Sequence, residues 1–250
     1  MDVPWSEVAR RLCARAISVG ADGLIVLKRS DSSAADLEWE FYNSDGSAAE
    51  FCGNGIRCAA RFAVRYGMVD GGELAIATAV GVVRARVADD SVRVEFDFKA
   101  EEPVPVSVNL GDEVWRGFFV VVGVPHFVVF GEGFTGEQVA AAGRRIRFHE
   151  SFAPQGTNVD FCTLDGDTIF IRTYERGVEA ETLACGSGAM AAALVARSVE
   201  GASDRLSVVP RSGEMLIVDL SQLAQGKLIL EGPAREVYRG ELVEPWRDEG

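Results

Sequence analysis

Two cysteine-containing turns, one in each half of the chain, have the residue types best suited to chemistry. Cys52-Gly53-Asn54-Gly55 and Cys185-Gly186-Ser187-Gly188 share the pattern Cys-Gly-Asn/Ser-Gly, and an apolar, alanine-rich stretch follows each of them. The two glycines of each turn let a ligand approach its backbone closely. The repeated pattern predicts two similar domains, each with a cysteine at the entrance to a buried helix.

The start of a helix is a favourable place for anion binding. Its first backbone N–H groups have no partner inside the helix, and the helix dipole adds a partial positive charge there. We therefore expect each turn to bind a carboxylate through backbone N–H groups. A thiol at the same place is expected to have a pKa below its ordinary value of about 8.5.

The repetition of the turn favours proton transfer at a carbon next to a carboxylate. A thiolate on one side of the substrate could remove the proton while a thiol on the other side delivers one, which inverts the carbon centre. The helix N-termini would stabilise the negative charge that develops on the carboxylate. Such a reaction needs no pyridoxal cofactor. One Cys-Gly-x-Gly turn alone is more often structural, and the presence of two reverses that balance.

The composition excludes several classes of function. The chain has 250 residues, of which 48% are hydrophobic and 25% charged, as is typical of a globular protein. Its formal net charge of -13 repels phosphate backbones and anionic lipids, so we expect no nucleic-acid and no membrane partner. No apolar run reaches the roughly 20 residues of a membrane helix, and the first residues do not resemble a signal peptide. These features predict a cytoplasmic protein.

Cysteine and histidine usage argues against disulfides and metal. The chain has 5 cysteines, an odd and sparse set without a Cys-x-x-Cys pair, and 2 histidines. Zinc needs three or four such ligands at short spacing, so we expect no metal site. The cysteines outside the two turns, Cys13, Cys58 and Cys162, are expected to be small buried hydrophobic residues.

Apolar and polar residues alternate with a period of two through much of the chain, which predicts strands. Strand candidates outnumber helices by about two to one and do not alternate regularly with them, which favours an α+β fold over a doubly wound parallel sheet. The strands are predicted at residues 24–28, 37–41, 73–78, 82–87, 92–98, 117–122, 127–130, 159–164, 168–174, 214–220 and 227–231.

Four helices are predicted. One follows Pro4, two begin at the cysteine turns, and a polar one covers residues 137–147. The proline-containing stretch at residues 99–104 is the expected domain junction. The predicted domains are residues 1–100 and residues 101–237, with residues 238–250 rejoining the first half.

Several longer motifs occur in order along the chain. The two turns lie within Glu50-Phe51-Cys52-Gly53-Asn54-Gly55-Ile56-Arg57-Cys58 and Glu181-Thr182-Leu183-Ala184-Cys185-Gly186-Ser187-Gly188. The other motifs are Gly20-Ala21-Asp22-Gly23-Leu24, Asn43-Ser44-Asp45-Gly46-Ser47, Gly123-Val124-Pro125-His126, Gly156-Thr157-Asn158, Tyr174-Glu175-Arg176-Gly177 and Gly232-Pro233-Ala234. With these motifs, nearly the whole chain resembles diaminopimelate epimerase, a pyridoxal-independent enzyme of lysine and peptidoglycan precursor synthesis.

The resemblance implies two pseudo-symmetric domains, each a β-sheet wrapped around a central helix, and a site between them. It implies that the enzyme interconverts L,L- and meso-diaminopimelate by two-base proton transfer at Cα. Cys185 would accept the proton of the L,L substrate, and Cys52 would donate one. The resemblance also implies an amino-acid substrate, no cofactor and a homodimer.

Further site residues are implied by the resemblance alone. Those expected to hold the distal amino and carboxylate groups of the substrate are Asn43, Asn158 and Arg176, and those expected to bind the carboxylate of the reacting carbon are Gly53, Asn54, Gly186 and Ser187. Glu175 and His126 would lie beside the cysteines and support them, with Glu175 also at the substrate. Structural alternatives stay open: Asn43 as a turn residue, Glu175 and Arg176 as a surface pair, and His126 as a core histidine satisfied by backbone.

The chain departs from the family pattern in three places. The family opens with a strand that carries a Gly-Asn-Asp-Phe motif, whereas the first predicted helix here follows Met1 almost at once, so we expect one strand and one substrate contact to be missing. Val124 replaces an asparagine found in many members, and one extra residue separates Gly177 from Glu181. Two alternatives follow for the function: another cofactor-independent racemase of this fold, of histidine or proline type, or an inactive or thiol-regulated ligand-binding relative.

Overall fold

The structure, a computed structural model, describes residues 3–49, 52–99 and 101–242. The helices in these ranges are α1 (Trp5–Leu12), α2 (Gly53–Arg65), α3 (Gly136–Arg147) and α4 (Gly186–Glu200), with short 3-10 turns at Glu150–Phe152 and Leu223–Gln225. The strands are β1 (Gly23–Arg29), β2 (Leu37–Asn43), β3 (Glu73–Thr78), β4 (Gly81–Val87), β5 (Val92–Asp97), β6 (Val104–Asn109), β7 (Val114–Val122), β8 (Val124–Phe130), β9 (Asn158–Asp165), β10 (Thr168–Glu175), β11 (Ala180–Glu181), β12 (Arg205–Val209), β13 (Leu216–Asp219) and β14 (Lys227–Gly232).

The chain divides into two compact units. One contains the residues up to Val94 together with those from Ala234 onward, and the other runs from Glu95 to Pro233. The chain passes from the first unit to the second inside β5. The domain boundary at residues 100 and 101 stays a prediction. Ala100, and residues 243–250 of the segment expected to rejoin the first half, lie outside the described residues.

In the first unit, helix α2 lies in the connection between two parallel strands of the sheet. Strand β2 pairs antiparallel with β1 but parallel with β3, and β3 pairs antiparallel with β4. A parallel pair needs a long crossover connection, and α2 is the helix of that connection. The helix contacts β1 and β4, and the small or apolar residues Ile56, Ala59, Ala60 and Ala63 form its buried side.

The prediction that Cys58 is buried is wrong, because the residue lies on the other side of α2. Positions 56, 59, 60 and 63 form one face of a helix with 3.6 residues per turn, and position 58 falls outside that face. Cys58 is exposed, and Phe62, one turn further along, is 49% exposed. Cys13 and Cys162 are buried, as predicted.

The second unit surrounds helix α4 with strands. Its sheet has the order β14-β13-β12-β10-β9-β8-β7-β6, with β11 added beside β10. The pairs β8–β9 and β10–β12 are parallel, and α4 contacts β7 to β10 and β12 to β14. The helix is buried from Gly188 to Ala196, because its alanines add little bulk and let strands approach on several sides.

Helix α3 packs against the opposite face of the same sheet. Side chains alternate between the two faces of a strand, so residues that point away from α4 are available to α3. The cluster on this side joins Val139, Ala142 and Ile146 of α3 to Phe127 and Phe161 of the strands. This packing holds β8, β9 and β10 between two helices.

An α+β fold with a sheet and a central helix in each unit is confirmed. All eleven predicted strands and four predicted helices occur among the described residues. Three strands were missed: β6, β11 and β12. Strand β6 contains Pro105 and begins inside the stretch expected to be a linker, and its place at the edge of the sheet explains why proline is tolerated there. No helix in the described ranges is long and apolar enough to cross a membrane.

Substitution of a glycine in α3 tests the packing of this helix against β10. A Cβ atom added at Gly143 would lie 2.6 Å from Cβ of Tyr174, which directly precedes Glu175. Gly143→Ala should therefore lower the free energy of unfolding by about 1–3 kcal/mol through overpacking, although alanine favours helices by roughly 1 kcal/mol. Urea denaturation measures the change. The control is Ala141→Gly at an exposed position of the same helix, which should lose only the stability due to helix propensity. A Gly143→Ala protein with a higher free energy of unfolding than the unsubstituted protein would contradict the packing.

Candidate active site

In the first unit, the sulfur of Cys52 caps helix α2. Cys52 has extended backbone angles, and its Sγ accepts a hydrogen bond from the Gly55 N–H over 3.3 Å. Gly55 fits tightly, because a Cβ there would lie 3.2 Å from the Trp39 ring and 3.3 Å from Ile25. The cap fixes the sulfur beside the first N–H groups of the helix.

A buried arginine that the sequence analysis missed braces the same turn. Arg57 is 5% exposed, and its Nη2 donates to Oδ1 of Asn54 over 2.8 Å while Nη1 donates to the Gly53 carbonyl over 3.3 Å. Its guanidinium adds positive charge next to the helix start. The spacing of three residues from Asn54 to Arg57 is the signal that could have revealed this contact, because such residues are neighbours on a helix.

Asn43 lies in a tight turn at the end of β2. Its Nδ2 donates to Oγ of Ser47 over 3.0 Å, and its backbone N–H donates to the Ser47 carbonyl over 2.8 Å. The Gly46 N–H closes the turn on the Asn43 carbonyl. These contacts agree with the turn alternative, and a contact of Asn43 with substrate stays a prediction. Glu50 and Phe51 of the adjoining motif lie outside the described residues.

In the second unit, Cys185 caps helix α4 in the same way. Its Sγ accepts from the Gly188 N–H over 3.4 Å and lies 3.4 Å from Oγ of Ser187. Cys185 is buried, whereas Cys52 is half-buried. The two units thus share one local arrangement, in which a cysteine sulfur accepts the N–H of the third helical residue and that residue is glycine.

The expected low pKa of the helix-capping thiol is wrong for Cys185. Burial raises the pKa of the Cys185 thiol well above its ordinary value, and the negative charges of Glu175 and Asp160 raise it further. The hydrogen bonds from Ser187 and from the Gly188 N–H act in the opposite direction and are outweighed. Without substrate, burial and these two charges favour the protonated form of the Cys185 thiol.

His126 belongs to a buried polar row. Its Nδ1 lies 2.7 Å from Oδ2 of Asp160, and the Thr173 hydroxyl donates to Oδ1 of Asp160 over 2.7 Å. His126 is 0% exposed, which agrees with the alternative of a core histidine. Its hydrogen-bond partner is a carboxylate, however, and not the backbone expected in that alternative. The sequence analysis missed Asp160; the signal was a polar residue on the same face of β9 as Asn158.

The amide of Asn158 is engaged by backbone. Its Nδ2 donates to the Pro125 carbonyl over 3.0 Å, and its Oδ1 accepts from the Arg176 N–H over 2.8 Å. These bonds hold the half-buried segment of Glu175 and Arg176 to the start of β8. The Arg176 side chain donates to the Gln155 carbonyl over 3.3 Å. The structure thus brings together Cys185, His126, Asn158, Glu175 and Arg176 around one end of the second unit, while Cys52, Asn43, Gly53 and Asn54 belong to the first.

The raised pKa of Cys185 leads to a prediction about alkylation. Glu175→Gln removes a negative charge that opposes the thiolate, so the pKa of Cys185 should fall and the thiolate fraction should rise, about tenfold for each pKa unit. The measurement is iodoacetamide labelling at pH 8 without substrate, resolved by peptide mass spectrometry. Glu179→Gln, in the same turn, is the control that should leave the labelling rate of Cys185 unchanged. Equal rates in both variants would contradict the electrostatic account.

Comparison with known proteins places the chain in a family. The family model described as diaminopimelate epimerase matches residues 2–100 and 118–236. Diaminopimelate epimerase of Aquifex aeolicus is 44% identical over 246 residues, which cover 97% of this chain and 87% of that protein. The enzyme of the same name from Hydrogenobaculum sp. is 39% identical over 242 residues, with coverage of 95% and 86%.

Solved structures with the same fold are more distant in sequence. A hydroxyproline epimerase from Agrobacterium vitis has a TM-score of 0.68 at 18% identity, with coverage of 92% of this chain and 80% of that one. A PhzF-family protein from Enterococcus faecalis has a TM-score of 0.68 at 14% identity, with coverage of 98% and 90%. These two matches support the fold, and the family model together with the sequence relatives shows that the chain belongs to the diaminopimelate epimerase family.

Proposed function

We propose that this protein interconverts L,L- and meso-diaminopimelate by two-base proton transfer at Cα. One observation carries the proposal: the central helix of each unit begins at a cysteine whose sulfur caps it, at Cys52 and at Cys185. Sequence relatives named diaminopimelate epimerase, at 44% and 39% identity, support the choice of substrate. In this proposal the two units are the two halves of the enzyme, and both sulfurs flank one substrate carbon.

The carboxylate of the reacting carbon is bound by the first turns of α2 and α4. A helix leaves its first N–H groups without intrahelical partners, and in each turn the sulfur takes the N–H of the third residue. The N–H groups of Gly53, Asn54, Gly186 and Ser187 are then the donors for the substrate carboxylate. The positive ends of the helices stabilise the charge that moves onto this carboxylate when Cα is deprotonated.

Proton transfer conserves one thiol and one thiolate. The thiolate of Cys185 takes the proton from Cα, the electron pair of the broken C–H bond delocalises onto the carboxylate, and the Cys52 thiol gives its proton to the opposite face of the carbon. Cys185 ends as the thiol and Cys52 as the thiolate, and the reverse reaction exchanges these roles. Because the pKa of the Cys185 thiol is raised before substrate binds, the positive ammonium group of the substrate helps to form the thiolate.

The distal end of the substrate is assigned to Asn43, Asn158 and Arg176. A guanidinium forms paired hydrogen bonds with a carboxylate, so Arg176 suits the distal carboxylate. Glu175 and His126 support the cysteines and Glu175 also contacts substrate. Asn158 keeps one amide hydrogen beyond the bond to Pro125, which leaves it a donor for substrate.

The proposed compartment is the cytoplasm, and the proposed partner is a small amino-acid substrate. All 5 cysteines are free, which suits a reducing compartment. The resemblance alone supports a homodimer.

Deuterium exchange tests the reaction and its substrate. Incubation with L,L-diaminopimelate in deuterated water should give meso product that carries deuterium at the inverted carbon, because a thiol exchanges its proton with solvent before donating it. L-Histidine and L-proline, tested in parallel by mass spectrometry, should gain none. Deuterium in histidine or proline alone would favour the alternative racemases, and binding of diaminopimelate without exchange would favour a ligand-binding relative.

Single cysteine substitutions test the two-base scheme. Cys52→Ala and Cys185→Ala should each lower kcat for epimerisation by about 10²–10⁴-fold, because each removes one of the two proton-transfer groups. A coupled assay of meso-diaminopimelate formation measures the loss. Cys58→Ser, an exposed cysteine of α2, is the matched control that should keep full activity. Full activity in either alanine variant would refute the proposal.

A further inference from the structure

We propose that Asp160, which neither the motifs nor the family resemblance singles out, is a positioning residue that holds His126 in the tautomer with a proton on Nδ1 and a proton-accepting Nε2. The inference rests on the proposed function only for the role of Nε2, which takes the proton released when a cysteine thiol becomes the thiolate and gives it back when that thiol is restored. The tautomer itself is a property of the second unit and can be measured without substrate.

The three members of the polar row come from adjacent strands. Asp160 of β9 pairs directly with Thr173 of β10, and His126 of β8 pairs with Asn158, two residues before Asp160. Residues two apart on a strand lie on the same face, so all three side chains share the face of the sheet that α4 covers. His126 and Asp160 are each 0% exposed and Thr173 is 4% exposed.

Helix α4 fixes the Asp160 carboxylate from above. A Cβ atom added at Gly188 would lie 2.6 Å from Oδ1 of Asp160 and 3.1 Å from Oγ1 of Thr173. The carboxylate therefore lies directly against the first turn of the helix, whose partial positive charge attracts an anion. This close approach explains why the third helical residue is a glycine.

The direction of the hydrogen bonds sets the tautomer. An ionised carboxylate can only accept, so it accepts the Thr173 hydroxyl on Oδ1 and an N–H of His126 on Oδ2. The nitrogen of His126 that faces Oδ2 is Nδ1, at 2.7 Å, and it must carry the hydrogen. In the neutral ring, Nε2 is then the unprotonated nitrogen with a free lone pair.

The state of Nε2, the second ring nitrogen of His126, indicates a role in proton transfer. Nε2 of His126 is buried and has no hydrogen-bond partner among the residues that the structure describes. Buried polar atoms are nearly always satisfied, so an orphaned acceptor in a fully buried ring needs an explanation. A base needs a nitrogen with a vacant lone pair within the site, and Nε2 of His126 meets this requirement.

Asp160 also acts on the neighbouring thiols. The titratable groups near it include His126 on β8, Cys162 on β9 and Cys185 at the start of α4, and Glu175 on β10 also acts on Cys185. Burial raises the pKa of the Cys162 thiol and the charge of Asp160 raises it further, and the same charge is one of the causes that raise the pKa of the Cys185 thiol. Loss of this charge should therefore also change the pH dependence of the reaction.

The direct test is the nitrogen-15 NMR spectrum of the imidazole. His126 and His149 are the 2 histidines of the chain, so His149→Gln leaves a single labelled ring. At alkaline pH, without substrate, the spectrum should show a protonated Nδ1 and an unprotonated Nε2. The opposite tautomer in this otherwise unaltered protein would overturn the proposal, whether or not the protein is an epimerase.

Asp160→Asn tests the positioning itself. An amide can donate to Nδ1, so this variant should populate the Nε2-protonated tautomer and lower kcat by about 10²-fold or more, with little change in KM. Thr173→Val removes one hydrogen bond and keeps the carboxylate charge, so it should retain the tautomer and lose far less activity. An Asp160→Asn protein with the original tautomer, or with undiminished kcat, would refute the role of Asp160. If the wild-type tautomer is as expected but no epimerisation occurs, the proposed function fails while the tautomer assignment stands.

Discussion

The first backbone N–H groups of two buried helices are the constraint on which the site depends. A buried N–H group without a partner is costly, and at the start of α2 and α4 a sulfur takes the third of these groups. The same bond holds Cys52 and Cys185 beside the N–H groups that remain. One hydrogen bond therefore both caps each helix and positions its reactive sulfur. The proposed substrate carboxylate would accept hydrogen bonds from the helix N–H groups that the sulfur does not take.

The close approach of strands to these helix starts explains the residues around them. Gly55 leaves room for Trp39 and Ile25, and Gly188 leaves room for Asp160. A larger residue at either position would push the sheet away from the helix and move the sulfur with it. The glycines of the two motifs thus serve the packing of strands as well as access for a ligand, which is the only role that the sequence pattern suggests.

Burial determines how the Cys185 sulfur can react. The helix start alone would lower the pKa of a thiol, but Cys185 is removed from water and lies near the carboxylates of Glu175 and Asp160. The thiol form is favoured as a result, so alkylating agents and oxidants, which need a thiolate, should react slowly with Cys185. A cationic amino acid would reverse this balance by bringing positive charge into the same space, which couples reactivity to substrate binding.

The elements that depend on local pattern could be predicted from the sequence. Strand β5 was recognisable because apolar and polar residues alternate in it, and α2 and α4 because each begins with a cysteine and glycines and continues with alanine. Strand β6 was missed because Pro105 inside it and Pro103 just before it suggest a linker, and only the position of the strand at the sheet edge makes Pro105 acceptable. The outward position of Cys58 was missed for a related reason, since it depends on which side of α2 meets the sheet.

Asp160 is the clearest case of a residue whose contacts cannot be predicted from local sequence pattern. Asn158, Asp160 and Cys162 alternate along β9, so the sequence alone places them on one face of a strand. The chemistry of that face depends on β8 and β10, which bring His126 and Thr173 to the carboxylate across 34 and 13 residues of sequence. A motif search finds residues that are close in the chain, whereas the partner of a buried histidine is chosen by strand pairing. Pairing between strands therefore has to be known before a single aspartate can be distinguished from an ordinary polar residue of a sheet.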